Sequence, residues 1–304
     1  MKQKKINNFF DSEGYYNFGS IFDKKKCKNL REEIKKLRKL NKNIFYKSEN
    51  EFKKKGRYTK YSPGAEDFNI LLTNREKLNL DFIENSFAFK KAVESIMGKN
   101  FSIMKKSVIR SVPNNYLPKW LKIKLIDIGR PNLNPWIRDQ FQDIQYFLNV
   151  DFHQDMTRGI KFCTFYIYLD DVGNINSCLK VLGGSYKHGA QPYPHHLRKS
   201  LYHKDIWYYD SNREVIKVKE YAVTGKAGTM FCFHGLNLHG SYYNFSRDPR
   251  ISLRYLIKPD PKNLNIFNKT FKNIKNNIVI KDQSLSRLDR KPDGSFIPTG
   301  MSIR

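Results

Sequence analysis

The sequence predicts a mainly β fold with helical flanks, a sandwich or a barrel, and three observations carry the prediction. From about Ser102 onward, short runs of alternating or β-branched apolar residues recur: LKIKLIDIG, IKFCTFYIYL, CLKVLG, TMFCFHG and RISLRYLIK, each bounded by Gly, Pro, Asn or Asp. Strands at such short spacing indicate a sandwich or barrel and not βαβ units. Helical spacing appears in the first hundred residues. Phe22–Asn41 sets Cys27, Leu30, Ile34, Leu37 and Leu40 on one face among charged residues, and a second helix is predicted around Asp81–Met97, stopped by Gly98. Finally, hydrophobic residues make up 39% of the 304, with 18 Tyr and 22 Phe, which is enough apolar material for a sizeable core.

The connecting segments are read from their polarity. Ser48–Asp67, with Ser62-Pro63-Gly64, reads as a loop, and the Asn/Lys-rich tail Pro261–Arg304 as irregular packing over the sheets. No internal repeat is visible. No apolar run approaches the roughly 20 residues that span a bilayer, and the basic N-terminus lacks the apolar stretch of a signal peptide. Cys27, Cys163, Cys178 and Cys232 form no CxxC pair, and the last three sit in apolar stretches. That pattern suits a reducing cytoplasm better than a disulfide framework. The net charge is +27. It admits a basic surface for nucleic acid, anionic membrane or an acidic substrate, but the lysines are dispersed, as in DKKKCK, EFKKKGR and IKNNIVIKD. Dispersed charge of this kind is the habit of a Lys/Asn/Ile-rich composition and a solvated surface.

The chemistry is concentrated in two segments. His153-Gln154-Asp155 follows the strand-like run IQYFLNVDF. Residues i and i+2 of a strand share a face, so His153 and Asp155 can converge on one point. A lone HxD is common by chance. Far downstream, GTMFCFHGLNLHGSYYNFSRDPRISLRYLI places His239 at a strand end and Arg250 at the head of the next strand. Two histidines and one carboxylate make the facial triad by which non-haem iron(II) oxygenases hold their metal, leaving three positions for a chelating co-substrate and O₂. Arginine suits the far end of a dicarboxylate because its planar fork binds carboxylate bidentately and stays charged when buried. His234 lies five before His239, an offset that sends it to the opposite face of one continuous strand. His188, His195, His196 and His203 fall in a polar loop.

These segments resemble the phytanoyl-CoA dioxygenase-like branch of the iron(II)/2-oxoglutarate oxygenases. FFDSEGYYNF is similar to that family's opening "F-x-x-D/E-G-Y". LDDVGNINSCLKVLGGSYKHG is similar to its "L-x-D-x-x-x-x-N-G-x-L-x-V-x-P-G-S-H-x-x-G", and HGLNLHGSYYNFSRDPR to its "H-x-x-x-x-H-x-S-x-x-N-x-S-x-x-x-R". The resemblance implies a double-stranded β-helix, a jelly roll of the cupin-like kind. It implies one oxygenase domain over residues 1–304, with helical N-terminal support over 1–100, the β-helix over 101–260 and a C-terminal extension over 261–304. It further implies that His153, Asp155 and His239 bind iron(II), and that Arg250 with Ser241 holds the distal carboxylate of 2-oxoglutarate. By the same likeness Gln154 contacts the co-substrate and Tyr166 lines its pocket. Ser177, Gly183 and Tyr186 depart from the family's Gly, Pro and His, and put the substrate loop in doubt rather than the metal chemistry.

The expected activity is a dioxygenase reaction, hydroxylation of an unactivated C–H bond in a small metabolite with release of succinate and CO₂. Asp155 favours hydroxylation over halogenation, because related halogenases carry a small residue there. An oxidative demethylase or binder of nucleic acid is one alternative. Its final motif carries two arginines six apart, whereas Arg250 and Arg254 are four apart. A metal-binding jelly roll without catalysis is the other. Arg130, Arg138, Arg158 and Lys161 flank HQD and could meet an anionic substrate, but in so basic a chain solvated side chains are expected.

Overall fold

A computed structural model of the chain describes residues 2–37, 42–55, 78–128, 136–138, 145–147, 150–155, 161–189, 197–211, 214–262, 265–272, 274, 288–290 and 296–298. In chain order the helices are α1 (Lys2–Glu13), α2 (Lys24–Leu37), α3 (Glu49–Lys55), α4 (Asp81–Glu84), α5 (Phe87–Met97), α6 (Lys119–Ile128) and α7 (Ile266–Lys272). The strands are β1 (Tyr15–Ser20), β2 (Ser102–Ser111), β3 (Gln145–Phe147), β4 (Val150–His153), β5 (Cys163–Tyr168), β6 (Leu179–Gly183), β7 (Arg198–Lys199), β8 (Ile206–Ser211), β9 (Glu214–Val223), β10 (Thr229–His234), β11 (His239–Ser241), β12 (Arg250–Lys258), β13 (Leu288–Arg290) and β14 (Phe296–Pro298).

Two six-stranded sheets dominate, in the orders β1-β10-β5-β12-β2-β3 and β4-β11-β6-β9-β8-β7, and all their ladders but β2/β3 are antiparallel. Period-2 alternation explains how the first sheet is buried on both sides. On β12, Ile251, Leu253 and Tyr255 join the core that α2 and α5 line, with Leu30, Ile34, Val93 and Ile96. On β5 and β10, Tyr166, Tyr168, Phe231 and Phe233 point the other way, into a cluster with Leu179 and Val181 of the second sheet. The inner face therefore lies between the sheets, and Arg250, Ser252 and Arg254 alternate onto it.

The N-terminus is tied beneath this arrangement. α1 ends at Gly14, whose φ of +62° and close approach to Tyr186 and Asn237 leave no space for a side chain. β1 then pairs with β10, Tyr15 opposite Phe233. One departure from the resembled pattern acquires a reason here. At Gly183 a β-carbon would collide with Glu13 and Tyr221, so proline's ring has no room. Ser177, where the family has glycine, keeps a left-handed φ of +62°.

Several local expectations are corrected. LKIKLIDIG forms α6, not a strand. Pro118 opens it, its carbonyl accepting from Leu121 and Lys122, and Leu121, Leu125 and Ile128 also sit at helical spacing, while Ile123 is exposed. The helix expected over Asp81–Met97 is broken at Asn85-Ser86, where Ser86 caps a new helix by accepting from Phe89 N. Glu49–Lys55 is helical within the expected loop, whose remainder through Asp67 lies outside the described residues, as do residues 38–41 of the first predicted helix. The tail contains α7 and the β13/β14 pair, with 275–287, 291–295 and 299–304 outside the described set. All four cysteines are free and buried. Among the described residues no helix is long and apolar enough to cross a membrane.

Candidate metal centre

β4 delivers His153 at its last residue, and Asp155 follows after Gln154 in the turn. β11 opens on His239, which pairs directly across from His153, with Val181 of β6 on its other side. The two imidazole rings lie 4.3 Å apart. Asp155 sits between them, Oδ1 at 3.5 Å from His153 Nε2 and Oδ2 at 3.4 Å from His239 Nε2. One donor atom from each of the three residues lies within 4.8 Å of the others.

Hydrogen bonding prepares these groups as donors. His239 Nδ1 is 3.0 Å from the carbonyl of Asn237. A carbonyl can only accept, so Nδ1 carries a proton, and Nε2 is the ring nitrogen turned toward Asp155. Burial alone would raise the carboxyl pKa of Asp155, but His239, His153 and Arg254 outweigh it and hold it well below the usual range. A carboxylate with two imidazole nitrogens is the donor set that ferrous iron takes in a facial triad. These residues fit such an ion.

The inner face of β12 supplies the second half of the site. Arg250 is buried, its Nη1 donates to Ser252 Oγ at 3.1 Å, and its guanidinium lies 5.6 Å from the ring centre of Tyr168. Tyr168 is itself fixed, its hydroxyl donating to Val223 O at 2.9 Å and accepting from Leu179 N at 3.0 Å. Arg250 Nε is buried and meets no acceptor among the described residues. An orphaned guanidinium N–H in the interior is costly, and a carboxylate oxygen would satisfy it. Ser241, two residues beyond His239 on β11, is also buried.

The other residues singled out in the sequence are placed as follows. Gln154 turns its amide nitrogen to the carbonyls of Gly189 and Leu236, at 2.9 and 2.7 Å, bracing the turn that carries Asp155. Tyr166 stacks on Phe231 and Phe233 at ring separations of 5.4 and 5.9 Å, and burial pushes its pKa up to about 12, against the pull of Arg254. His234 stands apart because β10 ends on it and the chain turns into the other sheet before His239. A single strand running through both, as the residue offset presumes, does not exist. His203 is exposed and His188 ends a short 3-10 helix, Ser185–His188, while His195, His196, Arg130 and Arg158 fall outside the described residues.

Two functional neighbours escape sequence reading. Asn237 donates to the carbonyls of Glu13 and Gly14 and accepts from Tyr186 N, pinning the run into His239 against the N-terminus. Arg254 lies 3.7 Å from Asp155 Oδ2. Its place four residues after Arg250, on the same face of a strand, was the available signal.

A protein built this way falls among the non-haem iron(II) oxygenases that take 2-oxoglutarate as co-substrate. The chain belongs to the phytanoyl-CoA dioxygenase (PhyH) family, whose model matches residues 10–252. In structure it is similar to SnoN, a non-haem alpha-ketoglutarate-dependent epimerase from nogalamycin biosynthesis, at TM-score 0.50 and 14% identity over 85% of this chain and 83% of that one. SnoN in complex with Fe3+, alpha ketoglutarate and nogalamycin RO aligns with the same TM-score, 0.50, and identity, 14%, covering 85% and 84%. The carbocyclase SnoK from the same biosynthesis aligns at TM-score 0.48 and 12% identity over 84% and 83%. No curated protein matches the sequence. At these identities the likeness is one of fold, the double-stranded β-helix expected above.

Proposed function

We propose that this oxygenase hydroxylates an unactivated C–H bond of a small molecule at a metal held by His153, Asp155 and His239. The observation that carries the reading is the convergence of those three donors, together with a buried arginine whose Nε meets no acceptor among the described residues. Iron(II), when bound, supplies the oxidising chemistry, coupling O₂ reduction to conversion of 2-oxoglutarate into succinate and CO₂. The protein's residues do the rest. Arg250 and Ser241 hold the distal carboxylate of the co-substrate, and Tyr168 supports the guanidinium from one side. Tyr166, Phe231 and Phe233 give the inner face an apolar wall that excludes water. Asp155 fills a coordination position that a halogenase leaves to halide, so oxygen transfer is the outcome this ligand set favours. Four free, buried thiols suit a reducing cytoplasm.

Anaerobic titration with iron(II) and 2-oxoglutarate tests the reading. The wild-type protein is expected to develop the weak visible charge-transfer band of a 2-oxoglutarate chelate, and Asp155→Ala to lose it. Screening small molecules by succinate release, with mass spectrometry of the product, then reads the reaction: gain of one oxygen atom supports hydroxylation. An unchanged product mass means epimerisation and loss of two hydrogens means ring closure or desaturation. Absence of the band in the wild type rejects the metal site altogether.

A further inference from the structure

The family likeness gives Arg250 a task and leaves Arg254 without one. The two share the inner face of β12, and four strand residues separate their α-carbons by about 13 Å. They lie at different ends of that inner face. Arg254 reaches across from the first sheet to the second, where its Nη1 lies 3.7 Å from Asp155 Oδ2, the oxygen that also faces His239 Nε2. Its Nε is pinned from behind by Ser107 Oγ at 3.2 Å, from the residue directly opposite on β2. Arg254 and Asp155 are both buried.

A ligating carboxylate has to present one oxygen to the metal while its other oxygen is held, because free rotation about its last torsion would spread it over non-ligating orientations. Asp155 lies just beyond the end of β4, where its backbone N–H is held by Gly235 O at 3.1 Å and the carboxylate's own torsion remains to be fixed. A planar guanidinium, anchored to a neighbouring strand and facing one carboxylate oxygen, provides that constraint. We propose that Arg254 is a positioning residue that orients Asp155 for metal ligation. The proposal rests on the metal-site reading given above.

The test measures metal binding itself, with Co(II) titrated calorimetrically into the full chain in the absence of 2-oxoglutarate. Arg254→Gln is expected to weaken Co(II) about 10–100-fold, the range for loss of an outer-shell partner, and to shift the Co(II) ligand-field spectrum. Arg254→Lys, which restores the charge, should recover part of the affinity. Ser107→Ala, which removes only the pin, should cost about fivefold, and it keeps the question answerable if Arg254→Gln does not fold. Co(II) affinity within about twofold of wild type in Arg254→Gln, or in Ser107→Ala where the former is unfolded, overturns the proposal. So does a loss confined to 2-oxoglutarate affinity, which would place Arg254 on the co-substrate. Undiminished Co(II) binding by Asp155→Ala would instead sink the metal-site reading on which the proposal stands.

Discussion

His234 and His239 are five residues apart and equally hidden from solvent, yet the regions around them make opposite use of an imidazole. His234 closes β10 on the helix side of the first sheet, with Tyr186, Phe267 and Phe271 within 4.9 Å by ring centre. Its Nδ1 accepts from Leu236 N, and burial among aromatic rings lowers its pKa to about 3. His239 opens β11 on the inner face of the second sheet, against His153, Phe233 and Asp155. Burial is common to both. The carboxylate is the difference, and beside it an imidazole becomes a candidate metal donor.

The comparison can be broken most severely by exchanging the fates of the two residues. His239→Ala should lower metal affinity by more than about a hundredfold and abolish 2-oxoglutarate turnover. His234→Phe, which keeps a ring among rings, should leave metal affinity as in the wild type. Metal titration of the pair reads both, and equal losses would erase the distinction. Next in size, Arg250→Ala should weaken 2-oxoglutarate binding by about 2–5 kcal/mol, the cost of truncating one partner of a buried charge pair, while leaving Co(II) binding alone. Isothermal titration with each ligand separates these.

On the packing side, Gly14→Ala should destabilise the fold by roughly 2 kcal/mol, since alanine resists φ +62° and its methyl meets Tyr186 and Asn237. Denaturant unfolding measures it. A further effect appears only in acid. The folded-state pKa of His234 is depressed from 6.5 to about 3, so between those values the unfolded chain binds a proton that the folded chain refuses. Stability contributed by neutral His234 is complete above pH 6.5 and declines as pH falls toward 3. The slope from this group is about 1.4 kcal/mol per pH unit. His234→Phe should remove that component from the pH dependence of unfolding, and an unchanged slope would show that His234 does not titrate this way.

The legible parts of the sequence are those where local pattern and tertiary role agree. RISLRYLIK alternates, and the structure sends Ile251, Leu253 and Tyr255 one way and Arg250, Ser252 and Arg254 the other. HQD and the run ending at His239 could be placed because strand geometry fixes which neighbours share a face. LKIKLIDIG misled because its apolar residues satisfy periods of two and of nearly four at once, and the choice fell to Pro118 at its head. α1, rich in Lys and Asn, shows little periodicity, and its position depends on contacts with α5 and α7 that are distant in sequence. The place of Arg254 beside Asp155 is not legible in the sequence, because it depends on β12 approaching the turn after β4.

The pairing of Tyr15 with Phe233, more than 200 residues apart, bears on how the molecule is made. β1 has no partner strand until β10 is in place. Until then Asn237 cannot lock the approach to His239. The candidate metal ligands, on two distant segments, come together only through long-range pairing. A chain dominated by such distant pairings folds slowly, and one halted before β12 would carry every triad residue and still hold no formed site for the metal.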